Sequence, residues 1–237
     1  MENAGYVTLT RQSGLMREMQ TLANNIANVS TTGFRKEGVI FAEYVVAPDG
    51  DGPSLSMARA DARHINDMPG ELKRTGGTFD FAIEGGGFFQ VQTAGGIRLT
   101  RAGSFTPDAG GNLASPDGHL LLDAGGAPVF VPPDARAVTL AADGTLSADG
   151  RPVAQLGLMR PTDPSSLQRE AGVLFQGGAL EPAEDGRMIQ GFVESSNVSA
   201  ITEIARMIEV QRAYEMGQTF LDNEDQRIRG VIQTLGR

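Results

Sequence analysis

Any catalysis in this chain would have to be built from two histidines, a few closely spaced acids and one glycine triplet. His64 and His119 stand far apart in polar, turn-rich contexts and read as surface residues. With no H-x-x-x-H and no cysteine, no zinc, disulfide or thiol-redox site is expected. Gly85-Gly86-Gly87 runs into Phe88-Phe89 and a strand pattern, not into a helix opening on Lys-Ser/Thr, so it reads as a tight turn rather than a phosphate cradle. Asp49-Gly50-Asp51-Gly52 starts like a calcium loop but lacks the later bidentate acid. Asp80 and Glu84 have no nucleophile near them in sequence and read as solvated acids on a strand. No catalytic, metal or cofactor residue is expected, and the chemistry to look for is that of assembly.

The 237 residues carry a net charge of −9, spread along the chain, which repels phosphate backbones and argues against nucleic acid as a partner. No stretch approaches the roughly 20 apolar residues of a membrane helix, and none is basic and amphipathic, so no membrane insertion is expected. The N-terminus lacks a basic segment followed by an apolar run, so export through a cleaved signal is not expected either.

The elements that must do the work are at the two ends. Leu15, Met19, Leu22, Ile26 and Val29 recur at spacings of 4, 3, 4 and 3, one apolar stripe on a helix that Thr31-Thr32-Gly33-Phe34 should stop. From Ser195 onward, Met207, Tyr214, Leu221, Ile228 and Leu235 recur every seven residues, with Ile204, Gln211, Gln218, Asp225 and Ile232 at a companion heptad position. One seam is apolar throughout; the other turns polar in its middle. Neither end can hide its stripe alone, so the two helices are expected to pair like a coiled coil. Periodicity leaves open whether that pair is complete in one chain or packs onto other subunits.

Between the ends, short apolar runs alternate with Gly-Gly and Asp-Gly turns, the pattern of an antiparallel β domain. The expected fold class is α+β: paired terminal helices around a central Gly-rich antiparallel β domain. The expected divisions are 1–34 (helical), 35–75 (connecting, with a loop at Ala47–Pro53), 76–160 (β), 161–194 (return) and 195–237 (helical).

Several motifs resemble those of the bacterial flagellar rod, hook and hook-associated family. Leu22-Ala23-Asn24-Asn25-Ile26-Ala27-Asn28-Val29-Ser30-Thr31-Thr32-Gly33-Phe34-Arg35 is similar to the N-terminal signature. Gln190 to Val198, including Ser196 and Asn197, and Ile208 to Glu215, including Gln211, Arg212 and Tyr214, are similar to the C-terminal ones. Ala82 to Phe89 and Thr100-Arg101-Ala102-Gly103-Ser104-Phe105 resemble central motifs, and the opening Met1 to Val7 is similar to the start of proximal-rod members. The resemblance implies a structural, non-enzymatic subunit of the basal-body rod crossing the periplasm. Its implied partners are copies of itself, other rod proteins below and above, and the flagellar type III export apparatus. It also implies a hollow shaft, in which Gln211, Gln218 and Asp225 would face either the channel or ordinary solvent. A distal-rod or other axial subunit is the alternative within the family. A glycan-cleaving enzyme would need an acid pair in a sugar groove, which the sequence does not offer.

Overall fold

The computed structural model describes residues 2–46 and 55–235. The expected loop Ala47–Pro53, with its Asp-Gly pairs, lies outside the described residues. The chain is α+β: a helix at each end and antiparallel strands between. It divides into two compact units. One holds the described residues of Met1–Ala27, Glu37–Asn66 and Ser199–Arg237; the other holds Asn28–Lys36 and Asp67–Val198.

In the helical unit, α1 (Glu2–Ala27) spans about 39 Å and α2 (Ala200–Leu235) about 54 Å at 1.5 Å per residue. They run antiparallel: Gln12 meets Tyr214, Glu18 meets Arg206 and Asn25 meets Glu203. Leu15, Leu22 and Val210 are buried between them, with Met19, Met207, Ala213 and Tyr214 packed around. Residues 35–75, expected as a connection, contain a long hairpin. Its strands β1 (Glu37–Val46) and β2 (Leu55–Ile65) pair antiparallel with a register shift at Ile40/Phe41 and pack along α1. The β-branched and aromatic content of Val39-Ile40-Phe41 and Tyr44-Val45-Val46 favours a pleated strand.

The β unit centres on a seven-stranded antiparallel sheet that includes Phe89–Thr93 and Gly96–Thr100. The return stretch 161–194 supplies strands to this unit. Leu174–Gln176 pairs with Gly96–Thr100, and Arg187–Gln190 pairs with Phe81–Glu84. The core gathers Phe81, Ile83, Phe89, Phe105, Leu121 and Leu146, all nearly sealed from solvent. Phe105 packs edge-on to Phe89 at 5.8 Å and tilted to Phe81 at 6.0 Å.

α1 ends at Ala27, and Thr31 N–H closes a turn onto the Asn28 carbonyl. Gly33 then enters the β unit at φ +72°, its N–H donating to the Glu194 carbonyl at 2.7 Å. A Cβ there would stand 2.2 Å from the backbone nitrogen of Ala102. Left-handed backbone and lack of space both demand glycine. Gly33→Ala is therefore expected to destabilise the β unit by about 2–4 kcal/mol. Scanning calorimetry checks this; an unchanged transition would mean the Gly33 turn is not packed as described.

Candidate functional site

The signature residues divide between the two units, and in each they hold backbone. In the helical unit Asn25 is fully buried. Its Nδ2 donates to the Glu37 carbonyl at 2.8 Å and to Glu203 Oε2 at 2.9 Å, and its Oδ1 accepts from Glu37 N–H at 3.0 Å. One side chain thus ties α1 to the start of β1 and to the first turn of α2. In the β unit Asn197 does the corresponding work: Oδ1 accepts from Lys36 N–H at 2.6 Å and Nδ2 donates to the Met68 carbonyl at 2.7 Å. Lys36 and Glu37 are consecutive, so the two asparagines grip adjacent residues, one in each unit.

The remaining signature residues shape the turns. Asn28 Oδ1 accepts from the Thr31 hydroxyl, Ser196 Oγ accepts from Val198 N–H, and Val198 is buried. Phe34 is 1% exposed, with the Arg169 guanidinium 4.2 Å above its ring. Asn24, Ala27 and Arg212 lie on exposed faces of the helices.

Sequence reasoning missed the buried charge cluster of the β unit. Glu194 is 1% exposed. Its Oε1 meets Arg35 Nη2 at 2.8 Å and Gly70 N–H at 3.0 Å, and its Oε2 meets Arg101 Nη1 at 3.1 Å. Arg101 also donates through Nη2 to the Gly85 carbonyl at 2.8 Å, and Arg35 Nη1 donates to the Asp67 carbonyl. Burial holds the Arg101 pKa down to about 10 even with Glu194 pulling it up, and burial lowers Arg35 in the same way. Both stay cationic at neutral pH, two positive charges around one buried carboxylate. The three residues come from the N-terminal, central and C-terminal motifs, so the cluster ties the three together. The available signal was charge inside otherwise apolar motif segments: Arg101 two residues after Leu99, Glu194 directly after Val193.

On the helix pair, the row of α2 turned toward α1 is Glu203, Met207, Val210, Tyr214, Gly217, Leu221 and Glu224, at spacings of 4 and 3, and all of these are buried or half-buried. Of the expected stripe, Leu15, Met19, Leu22, Met207 and Tyr214 come together; Ile26 and Leu221 are half-buried. The companion of the Met207 row on this face is Glu203–Val210–Gly217–Glu224, which a count of apolar residues passes over. A Cβ at Gly217 would stand 2.3 Å from Gln12 Nε2 and displace the end of that side chain, which donates to the Tyr214 carbonyl.

The other expected row looks outward. Ile204 is 48% exposed and Ile232 64%, and Gln211, Gln218 and Asp225 between them are exposed, bonded to Glu215, to the Tyr214 hydroxyl and to Arg229. Ile201, Ile208, Met216, Phe220, Ile228 and Val231 are exposed as well. The side chain of Leu235 lies outside the described residues. Among the described residues no group of acids, histidines or cysteines could hold a metal ion, and no helix is long and apolar enough to cross a membrane.

Known protein families match the N-terminal, central and C-terminal motif regions. Residues 6–35 match the family described as flagella basal body rod protein, 82–148 the flagellar hook protein FlgE/F/G D1 domain, and 189–234 the flagellar basal body rod FlgEFG protein C-terminal. The flagellar basal-body rod protein FlgF of Caulobacter vibrioides is 38% identical, covering 100% of this chain and 99% of that protein. FlgF of Mesorhizobium japonicum is 36% identical over the same shares. FlgG of Bacillus subtilis is 26% identical over 96% of this chain and 97% of that protein. The chain belongs to the family of flagellar basal-body rod proteins, which are structural subunits and not enzymes. Within that family it stands nearer to FlgF than to FlgG.

The buried cluster sets a clear test. Glu194→Gln leaves two buried guanidinium groups without a counter-charge and should cost about 3–5 kcal/mol in urea unfolding. Glu18→Gln removes the partner of Arg206 on a half-exposed surface and should cost less than about 1 kcal/mol. Equal costs would refute the assignment of the cluster as the anchor of the β unit.

Proposed function

We propose that this chain is a proximal-rod subunit whose terminal helices join copies of itself and other rod proteins into the axial drive shaft. The observation that carries this reading is the second row of α2. Ile201, Ile204 and Ile208 at one end and Ile232 at the other keep apolar side chains in water, at the 3-4 spacing that a packed helix presents to a neighbour. The face that α1 turns to α2 is already used by the row through Val210. The coiled-coil-like seam is therefore read as continuing between subunits. Burying four such side chains would supply several kcal/mol, at about 1.5–3 kcal/mol for each full burial.

The polar centre of that row, Gln211, Gln218 and Asp225, fits a surface that stays hydrated after assembly, as the wall of an export channel would. The same account assigns passage of the chain to the flagellar type III apparatus, and its place to the rod that crosses the periplasm. The β unit contributes stiffness through packing, with the arginine–glutamate cluster fixing the motif segments against one another.

Ile204→Asp and Ile208→Asp should leave the unfolding transition of the isolated chain within about 0.5 kcal/mol, because both positions are solvent-exposed. Each should abolish incorporation into rods, because an unpaired charge would be buried at the seam. Quantifying the subunit in purified basal bodies reads this out; normal incorporation of both variants would remove α2's outer row from the interface.

A further inference from the structure

In the β unit a pocket of about 360 Å³ opens over the arginine cluster. Arg35, Arg101 and Arg160 line it, together with the side-chain-free turn Gly85-Gly86-Gly87. Phe88 and Pro161 add apolar surface. The two inner arginines are 3% and 4% exposed, share the one buried carboxylate of Glu194, and each keeps a buried Nε–H with no acceptor. Burying more positive than negative charge is costly, and the deficit is relieved by an anion arriving from outside. Three acids near the site bear on this balance. Asp67 lies on the pocket lining and is exposed, and Glu181 at 2.8 Å and Asp185 at 3.4 Å pair with Arg160 from outside the lining. None is buried with the arginines.

We propose that this pocket is a carboxylate-binding socket that receives an acidic side chain of a neighbouring axial subunit. The apolar and glycine walls suit a peptide segment carrying the acid, and guanidinium groups suit a planar carboxylate. A chain with 29 acidic against 20 basic residues presents such side chains in abundance on its own copies. The neighbouring subunit as the source rests on the rod-subunit reading. The socket itself is measured on the isolated chain, so loss of anion binding and loss of assembly are separate failures.

The test is NMR titration of the full chain at fixed ionic strength with capped glutamate (N-acetyl-glutamate methylamide), capped glutamine and inorganic phosphate. Capped glutamate should give saturable shifts at the Gly85–Gly87 amides and the Arg35 and Arg101 Nε–H signals, and capped glutamine none. Two substitutions at exposed positions keep the fold intact. Asp67→Asn should tighten glutamate binding about two- to fivefold and Arg160→Gln should weaken it by a similar factor, the effect of one partly screened charge. Saturation that ignores both substitutions, or equal responses to glutamate and glutamine, would overturn the socket. Phosphate binding more than about tenfold tighter than glutamate would overturn the side-chain source.

Discussion

The carboxylate of Glu194 is the interaction on which the β unit depends. It is the shared counter-charge of Arg35 and Arg101, it accepts from Gly70 N–H, and the same residue's carbonyl receives Gly33 N–H. Segments distant in sequence are thereby bound at one point. The short strands around it, several of only two or three residues, could not fix those segments by ladder hydrogen bonds alone. A buried charge cluster is geometrically unforgiving: its arginines must be satisfied at particular angles or their desolvation is uncompensated. That rigidity suits a component under torque, whose segments must not slide.

The helical unit follows a different logic. Among the described residues Leu15, Leu22 and Val210 are buried between the helices, and much of the specificity there comes from polar contacts: Gln12 on the Tyr214 carbonyl and Asn25 on Glu37 and Glu203. These set the register of α1 against α2, while the apolar side chains on the outer row of α2 stay unspent. A large outer apolar row is poorly suited to a free-standing protein and well suited to a subunit completed by its neighbours.

What could be read from the sequence follows from what leaves a local pattern. The stripe Leu15–Met19–Leu22 and its partners Met207 and Tyr214 were legible because apolar periodicity maps directly onto a helix face. The alternation and the Asp-Gly and Gly-Gly turns likewise announced the antiparallel β domain. The true companion row on α2 was not legible, because Glu203, Gly217 and Glu224 occupy it and only Val210 is apolar. Its glutamate at 203 is buried through a bond to Asn25, a partner 178 residues away. The Arg35–Glu194–Arg101 cluster escaped for the same reason: ion pairs between distant segments have no period. The motif residues themselves were found by resemblance, and the structure supplies their physical work, asparagines gripping backbone and a glycine admitting the chain beside Ala102.

The central claim is that the outer row of α2 is an interface awaiting neighbours, and hydrogen–deuterium exchange on the free chain and on isolated rods tests it most directly. In the free chain, amides of α2 should exchange readily, most of all toward its C-terminal end, because one face of the helix has no cover. In the rod, protection should rise along the whole of 200–235, with little change among the core strands 81–84 and 89–93. Equal protection of α2 in both states would mean that the helix pair is already complete in one chain, and would contradict the account.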